Sequence, residues 1–274
     1  MSQTSVAVMG AIAGFTILLG LPVARLRGLS PRTQGVLNAL ALGVLIFLLV
    51  EILGHANEEV EEAAKGIQKG RWDDLVLLAF VYVAGLGAGL LGLVWAMREF
   101  GQRLGGRPAP PGPGAVAAAE RAVPTSRSLA LMIATGLGLH NFSEGLAIGQ
   151  SAAAGLALTG VLVVGFGLHN ITEGFGIAAP LASEEPPPSW AFLGLAGLIA
   201  GGPTFVGSII GFAVVADWAF VLFFALAAGA LIYVIYEMFS VSRRLNSPVA
   251  LGAGVLTGLL VAFGTELFLE LAGG

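Results

Sequence analysis

Eight long apolar runs dominate this chain, and a sequence built that way belongs in a bilayer. They are roughly Val6–Ala24, Gly35–Ile52, Leu75–Met97, Leu129–Ala152, Leu156–Leu181, Trp190–Ala216, Trp218–Val241 and Val249–Leu271. A helix needs about 20 such residues to cross a hydrocarbon core of about 30 Å. The two-residue alternation of a membrane β-barrel is absent. The expected fold is therefore an all-α integral membrane protein with eight transmembrane helices, a single domain over residues 1–274. Composition agrees where it bears on this point. Charged residues make up 11% of the chain, against about 25% in soluble domains. The mean hydropathy is +0.89. With no cysteine there is no disulfide framework, thiolate ligand or thiol nucleophile. A formal net charge of −4 without a long basic tract gives no reason to expect nucleic acid.

The breaks between the runs set sidedness. Residues 99–127 contain Pro108-Ala109-Pro110-Pro111-Gly112-Pro113-Gly114, which cannot be helical and reads as a flexible loop. Of the 13 Lys and Arg, 10 fall in the first, third and seventh loops: Arg25, Arg27 and Arg32, then Arg98, Arg103, Arg107, Arg121 and Arg127, then Arg243 and Arg244. Only Lys65, Lys69 and Arg71 lie on the other face. Cytoplasmic loops carry the excess of positive charge, so both termini are expected outside and the proline-rich loop inside. Met1–Ser5 carries no basic side chain, unlike the start of a cleavable signal.

Ionisable side chains inside a span are expensive and mark function. They concentrate in the fourth and fifth runs. One reads Gly136-Leu-Gly-Leu-His140-Asn141-Phe-Ser143-Glu144-Gly145-Leu-Ala-Ile-Gly149, the other Gly165-Phe-Gly-Leu-His169-Asn170-Ile-Thr172-Glu173-Gly174-Phe-Gly-Ile-Ala178; 8 of 14 positions are identical. On a helix, residues four or three apart share a face. His140, Asn141 and Glu144 therefore form one polar edge, and His169, Asn170 and Glu173 another. Two such helices face to face gather imidazoles, carboxylates and amides, a donor set for Zn²⁺, Fe²⁺ and related first-row ions. Glycines beside the motif permit close helix approach. A pair of His–Glu hydrogen bonds that merely glue the helices, or a metal-free proton relay, are the plainer alternatives. Burying two carboxylates for packing alone is costly.

The doubled His-Asn-x-x-Glu-Gly motif on consecutive helices resembles the fourth and fifth spans of the ZIP (Zrt/Irt-like) metal transporters, most closely the prokaryotic GufA-like branch. The resemblance implies an inverted repeat of spans 1–3 and 6–8 around spans 4–5, and an elevator-like alternating access that moves a divalent ion (Zn²⁺, or Fe²⁺, Mn²⁺, Co²⁺, Cd²⁺) towards the cytoplasm. It implies a multi-pass protein of the inner membrane and no resident cofactor. His140, Glu144, His169 and Glu173 would hold the ion. Asn141, Glu144, Asn170 and Glu173 would line a second position in relatives. A second-span ligand corresponds to Glu51 in Glu51-Ile-Leu-Gly-His55, with His55 beside it, and Glu237 matches a span-seven acid near the inner exit.

The departures from the family pattern are informative. Ser143 and Thr172 stand where the family has proline, Gly202-Pro203 where it has Glu-Pro, and Asn170 where aspartate is common. Glu51, Glu144 and Glu173 would carry three negative charges, enough for one dication and too few for two, so one transported ion is expected. Glu266 and Glu270, four apart near the end of the last run, read as a solvated face or entrance. An intramembrane metal-dependent hydrolase is the alternative, but it needs a general base outside the ligand set, and every carboxylate here is a candidate ligand. A passive channel using the same residues as a filter is the other. Glycine-rich faces leave open a homodimer.

Overall fold

The computed structural model describes residues 1–26, 30–69, 72–103, 125–155, 159–182, 184–214 and 217–273. Among them there are eight α-helices and no strand: α1 Gln3–Phe15, α2 Pro31–Lys65, α3 Trp72–Arg103, α4 Ser126–Ala153, α5 Thr159–Ala178, α6 Trp190–Ala213, α7 Asp217–Leu245 and α8 Pro248–Gly273. Short 3₁₀ turns extend α1 (Thr16–Leu19, Leu21–Arg25), α2 (Gly66–Lys69) and α5 (Ala179–Leu181). Hydroxyl side chains start several helices: Ser2, Ser30, Thr125 and Ser189 each accept from the amide three residues on, satisfying a donor the first turn leaves free. Most of the loop expected at 99–127, residues 104–124, lies outside the described residues.

Seven of these elements are long and apolar enough to cross a membrane: Gln3–Arg25, Arg32–Lys65, Trp72–Ala96, Thr159–Leu181, Trp190–Ala213, Trp218–Ser240 and Pro248–Leu267. The expected fourth span, α4, is long enough but too polar to qualify by composition. Its surroundings explain this: 18 of its 28 residues are buried in protein, including His140, Asn141, Ser143 and Glu144. A helix wrapped by other helices need not be lipophilic.

Two boundaries differ from the sequence expectation for physical reasons. The second run was bounded at Ile52 by apolarity, yet α2 continues to Lys65. Residues 56–65 hold no glycine or proline and are rich in Ala and Glu, good helix formers in water. The first run was expected as one helix, but its α-helical part ends at Phe15. There Thr16 Oγ1 donates to Ala13 O at 2.6 Å, and Asn170 Nδ2 of α5 donates to the same carbonyl at 2.9 Å.

The helices pack as two groups of four. One contains α1, α4, α5 and α6; the other contains α2, α3, α7 and α8. They meet chiefly where α4 lies on α7 and α5 on α2 and α8. Glycine makes the tightest seams. A Cβ at Gly145 would stand 2.3 Å from Thr204 O, and one at Gly149 2.4 Å from Ser208 O, so α4 rests directly on the α6 backbone. In the other group, Gly89 and Gly229 do the same between α3 and α7. The outer surface of α3 shows Phe80, Val83, Leu91 and Trp95, all more than half exposed, as a lipid-facing helix requires.

Candidate metal centre

The site starts from the seating of α4. Pro203 lies inside α6 and has no amide to give to Ile199 O. Gly138 lets α4 close onto that carbonyl, since a Cβ there would be 2.4 Å from it. Two residues further along α4 comes His140, then Asn141 and, one turn on, Glu144. α5 brings His169, Asn170 and Glu173 from the other side. All six are buried, with Asn141, Asn170 and Glu173 fully so.

The imidazoles and carboxylates converge. His140 Nε2 lies 3.3 Å from Glu144 Oε1 and 3.9 Å from Glu173 Oε1. His169 Nε2 lies 3.6 Å from Glu173 Oε1, and the two rings are 6.0 Å apart. Donor atoms of His140, His169 and Glu173 all fall within 4.8 Å of one another. Tetrahedral Zn²⁺ with ligands at about 2.0–2.1 Å separates neighbouring donors by about 3.3–3.4 Å. Two of the three pairs are close to that, and a sub-ångström adjustment of side chains brings in the third. His140 Nε2, His169 Nε2, Glu173 Oε1 and Glu144 Oε2 are buried and make no hydrogen bond within the protein. Buried polar atoms are satisfied in the great majority of native proteins. Their convergence marks a place whose partner comes from outside the chain, and the donor chemistry suits a divalent cation.

The amides hold the frame. Asn141 Nδ2 donates to Asn170 Oδ1 at 2.8 Å, to Glu173 Oε2 at 2.9 Å and to Ala200 O of α6 at 3.1 Å. Asn170 Nδ2 reaches Ala13 O of α1. These bonds tie α1, α4, α5 and α6 together and turn Glu173 Oε1 towards the histidines. Asn141 Oδ1 is buried without a hydrogen-bond partner, whereas Asn170 Oδ1 is taken. In place of the family's prolines, Thr172 Oγ1 back-bonds to His169 O at 2.6 Å, and Ser143 Oγ reaches Leu139 O only at 3.5 Å. Position 202 opens onto Leu198 of its own helix; nothing from α4 or α5 lies within 4 Å of a Cβ built there.

The remaining sequence candidates lie further out. Glu51 on α2 is within electrostatic range of Glu144 and Glu173, and its Oε2 is buried without a hydrogen bond. His55 is half exposed, 3.9 Å from Glu58, and its ring is 5.5 Å from that of Phe224. Glu237 pairs with Tyr233 one turn back on α7 instead of joining the cluster. Two residues near the site were not singled out as ligands by sequence. Phe224 of α7 is buried between His55 and His140, 6.5 Å from the latter ring. Glu266 of α8 is within electrostatic range of Glu51 and Glu144.

The family model of the ZIP zinc transporters matches residues 115–270, which include all of α4, α5, α6 and α7 and most of α8. The chain belongs to the ZIP zinc transporter family. No individual curated protein matches it significantly. The ZIP match takes in the doubled motif, so the buried His/Glu cluster is the feature through which family and geometry meet, and it supports a transporter of divalent metal ions rather than an enzyme.

Proposed function

We propose that this ZIP protein imports a divalent transition-metal ion, Zn²⁺ or a chemical neighbour (Fe²⁺, Mn²⁺, Co²⁺, Cd²⁺), by alternating access. His140, Glu144, His169 and Glu173 bind the ion, with Glu51 approaching from α2. Asn141 Oδ1 is the one amide oxygen free to face it. Asn170 serves as a strut, and the missing span-six carboxylate at Gly202 leaves the amide side without charge for a second ion. The observation that carries the reading is the set of buried imidazole and carboxylate atoms that face one another without hydrogen bonds.

The two four-helix groups support an elevator-like step in which α1, α4, α5 and α6 slide past α2, α3, α7 and α8. The neighbour pattern is also consistent with an inverted repeat. Exchanging α1 with α6, α2 with α7, α3 with α8 and α4 with α5 maps the α2–α8 contact onto α7–α3, and α4–α6 onto α5–α1. In that scheme α4 is the eighth span, shielded from lipid by its neighbours. The protein sits in the inner membrane of a prokaryotic cell, in the GufA-like branch, with both termini outside and Arg25 and Arg127 on the cytoplasmic face. Should it pair as a homodimer, the exposed apolar face of α3 offers the contact.

The test is uptake of ⁶⁵Zn²⁺ into proteoliposomes. Glu144→Ala and Glu173→Ala are expected to abolish uptake while the protein still elutes as a folded species. Unchanged uptake in both would remove the assignment.

A further inference from the structure

The sequence treats Glu266 as part of a solvated face, but the helix register gives it another place. α2 and α8 run parallel and meet every fourth residue. A Cβ at Gly254 would fall 2.5 Å from Ala39 Cβ, and one at Gly43 2.9 Å from Gly258 Cα. One turn on, the rings of Phe47 and Phe263 stand edge to face with centroids 6.5 Å apart. The next step along the same stripe is Glu51 on α2 and Glu266 on α8.

Glu144 of α4 completes the group. Its Oε1 lies beside His140, while its Oε2 is buried with no hydrogen bond; the side chain is only 4% exposed. Both Glu51 and Glu266 are within electrostatic range of it. Nature seldom brings three carboxylates together at the edge of a bilayer without a cation between them, because like charges repel strongly at low dielectric. No Lys or Arg is present among residues 36–64 of α2 or 249–273 of α8 to neutralise them.

We propose that Glu51, Glu266 and Glu144 Oε2 form a second divalent-cation position, an outer loading station from which the ion passes to the His140–His169–Glu173 centre. Glu144 belongs to both and hands the ion on. This rests on reading that centre as a metal site. It also revises the charge arithmetic. With Glu266 included, four carboxylates converge instead of three, and two dications balance them. The carboxylate lost from span six is thereby made up from span eight, on the opposite side of the cluster. His55, the next residue along the α2 stripe, is half exposed and leads from the station to the acidic end of α2.

Equilibrium dialysis of purified, detergent-solubilised protein against Cd²⁺ counts the ions per chain. Two are expected for the wild type, one for Glu266→Gln and one for Glu173→Gln. In uptake, Glu266→Gln should raise the half-saturating Zn²⁺ concentration about tenfold, the effect of about one weakened ion contact. Glu266→Asp, which keeps the charge, should recover most of the second ion and controls for misfolding. A wild type that binds one ion, retained at full affinity in Glu266→Gln, would overturn the station and leave the deep centre standing. No bound ion in the wild type would overturn both.

Discussion

Replacing Glu173 by glutamine separates binding from folding. The carboxylate is fully buried; Oε2 accepts from Asn141 Nδ2 at 2.9 Å, and Oε1 faces His169 and His140 at 3.6 and 3.9 Å. Glutamine has the same shape. Its oxygen can take the Asn141 bond, and its amide can donate to an unpartnered imidazole nitrogen. The fold should therefore survive, and the melting temperature without metal should hold or rise, because a buried charge is removed. The ion loses one full negative charge from its shell. Two unit charges about 4 Å apart interact by about 4 kcal/mol at an effective dielectric of about 20. At about 1.4 kcal/mol per decade, that is about a thousandfold in affinity. The doubled charge of a dication enlarges the figure, and the desolvation of the carboxylate opposes it, so a loss of a hundredfold or more is the safe threshold. Competition dialysis against a calibrated Zn²⁺ chelator measures it. A folded Glu173→Gln protein that binds Zn²⁺ within about threefold of wild type would refute the reasoning.

Asn141→Leu keeps the volume but strands Glu173 Oε2 and Ala200 O, so it should destabilise the protein by about 1–3 kcal/mol and lower its melting temperature. Gly145→Val drives a side chain into Thr204 O, forcing α4 from α6; loss of saturable metal binding together with lower stability is expected, and chelator competition plus thermal melting checks both. Zn²⁺ at about 100 times its dissociation constant should stabilise the wild type by about 2.7 kcal/mol, read as a shift of the thermal midpoint. Arg127→Ala breaks a half-exposed pair with Glu184 at 2.9 Å and should change stability by no more than about 1 kcal/mol. It serves as a control far from the ligands.

What could be read from sequence follows from where polarity is expensive. The doubled motif stands out because a histidine and a glutamate four apart in an apolar run have few reasons to be there, and helical spacing alone puts His140 with Glu144 and His169 with Glu173. That the two edges face each other follows from adjacency in the chain. The end of α2 was not legible from hydropathy, which registers where lipid stops and not where hydrogen bonding does; Glu58 to Lys65 continue the helix in water. The tightening of α1 after Phe15 depends on Asn170 reaching across from α5, a contact no local window contains. Glu266 was misjudged for a similar reason. A stripe of small residues shows that a helix will pack closely, but not on which partner or in which register, and only the α2–α8 register sets Glu266 opposite Glu51. The role of Asn141 as a bridge between Glu173 and Ala200 O had no sequence signal either, since its acceptor is a backbone carbonyl of α6.

The enclosure of α4 has a consequence for how the molecule is made. A segment with His140, Asn141 and Glu144 at its middle partitions poorly into lipid by itself, where a single acidic residue at mid-depth costs about 2.5–3.5 kcal/mol. The translocon meets α4 before α6, the helix whose backbone it needs for Gly138, Gly145 and Gly149 to dock. Insertion of the first half of the chain must therefore leave α4 waiting, at the channel wall or against α1, until synthesis has delivered α6.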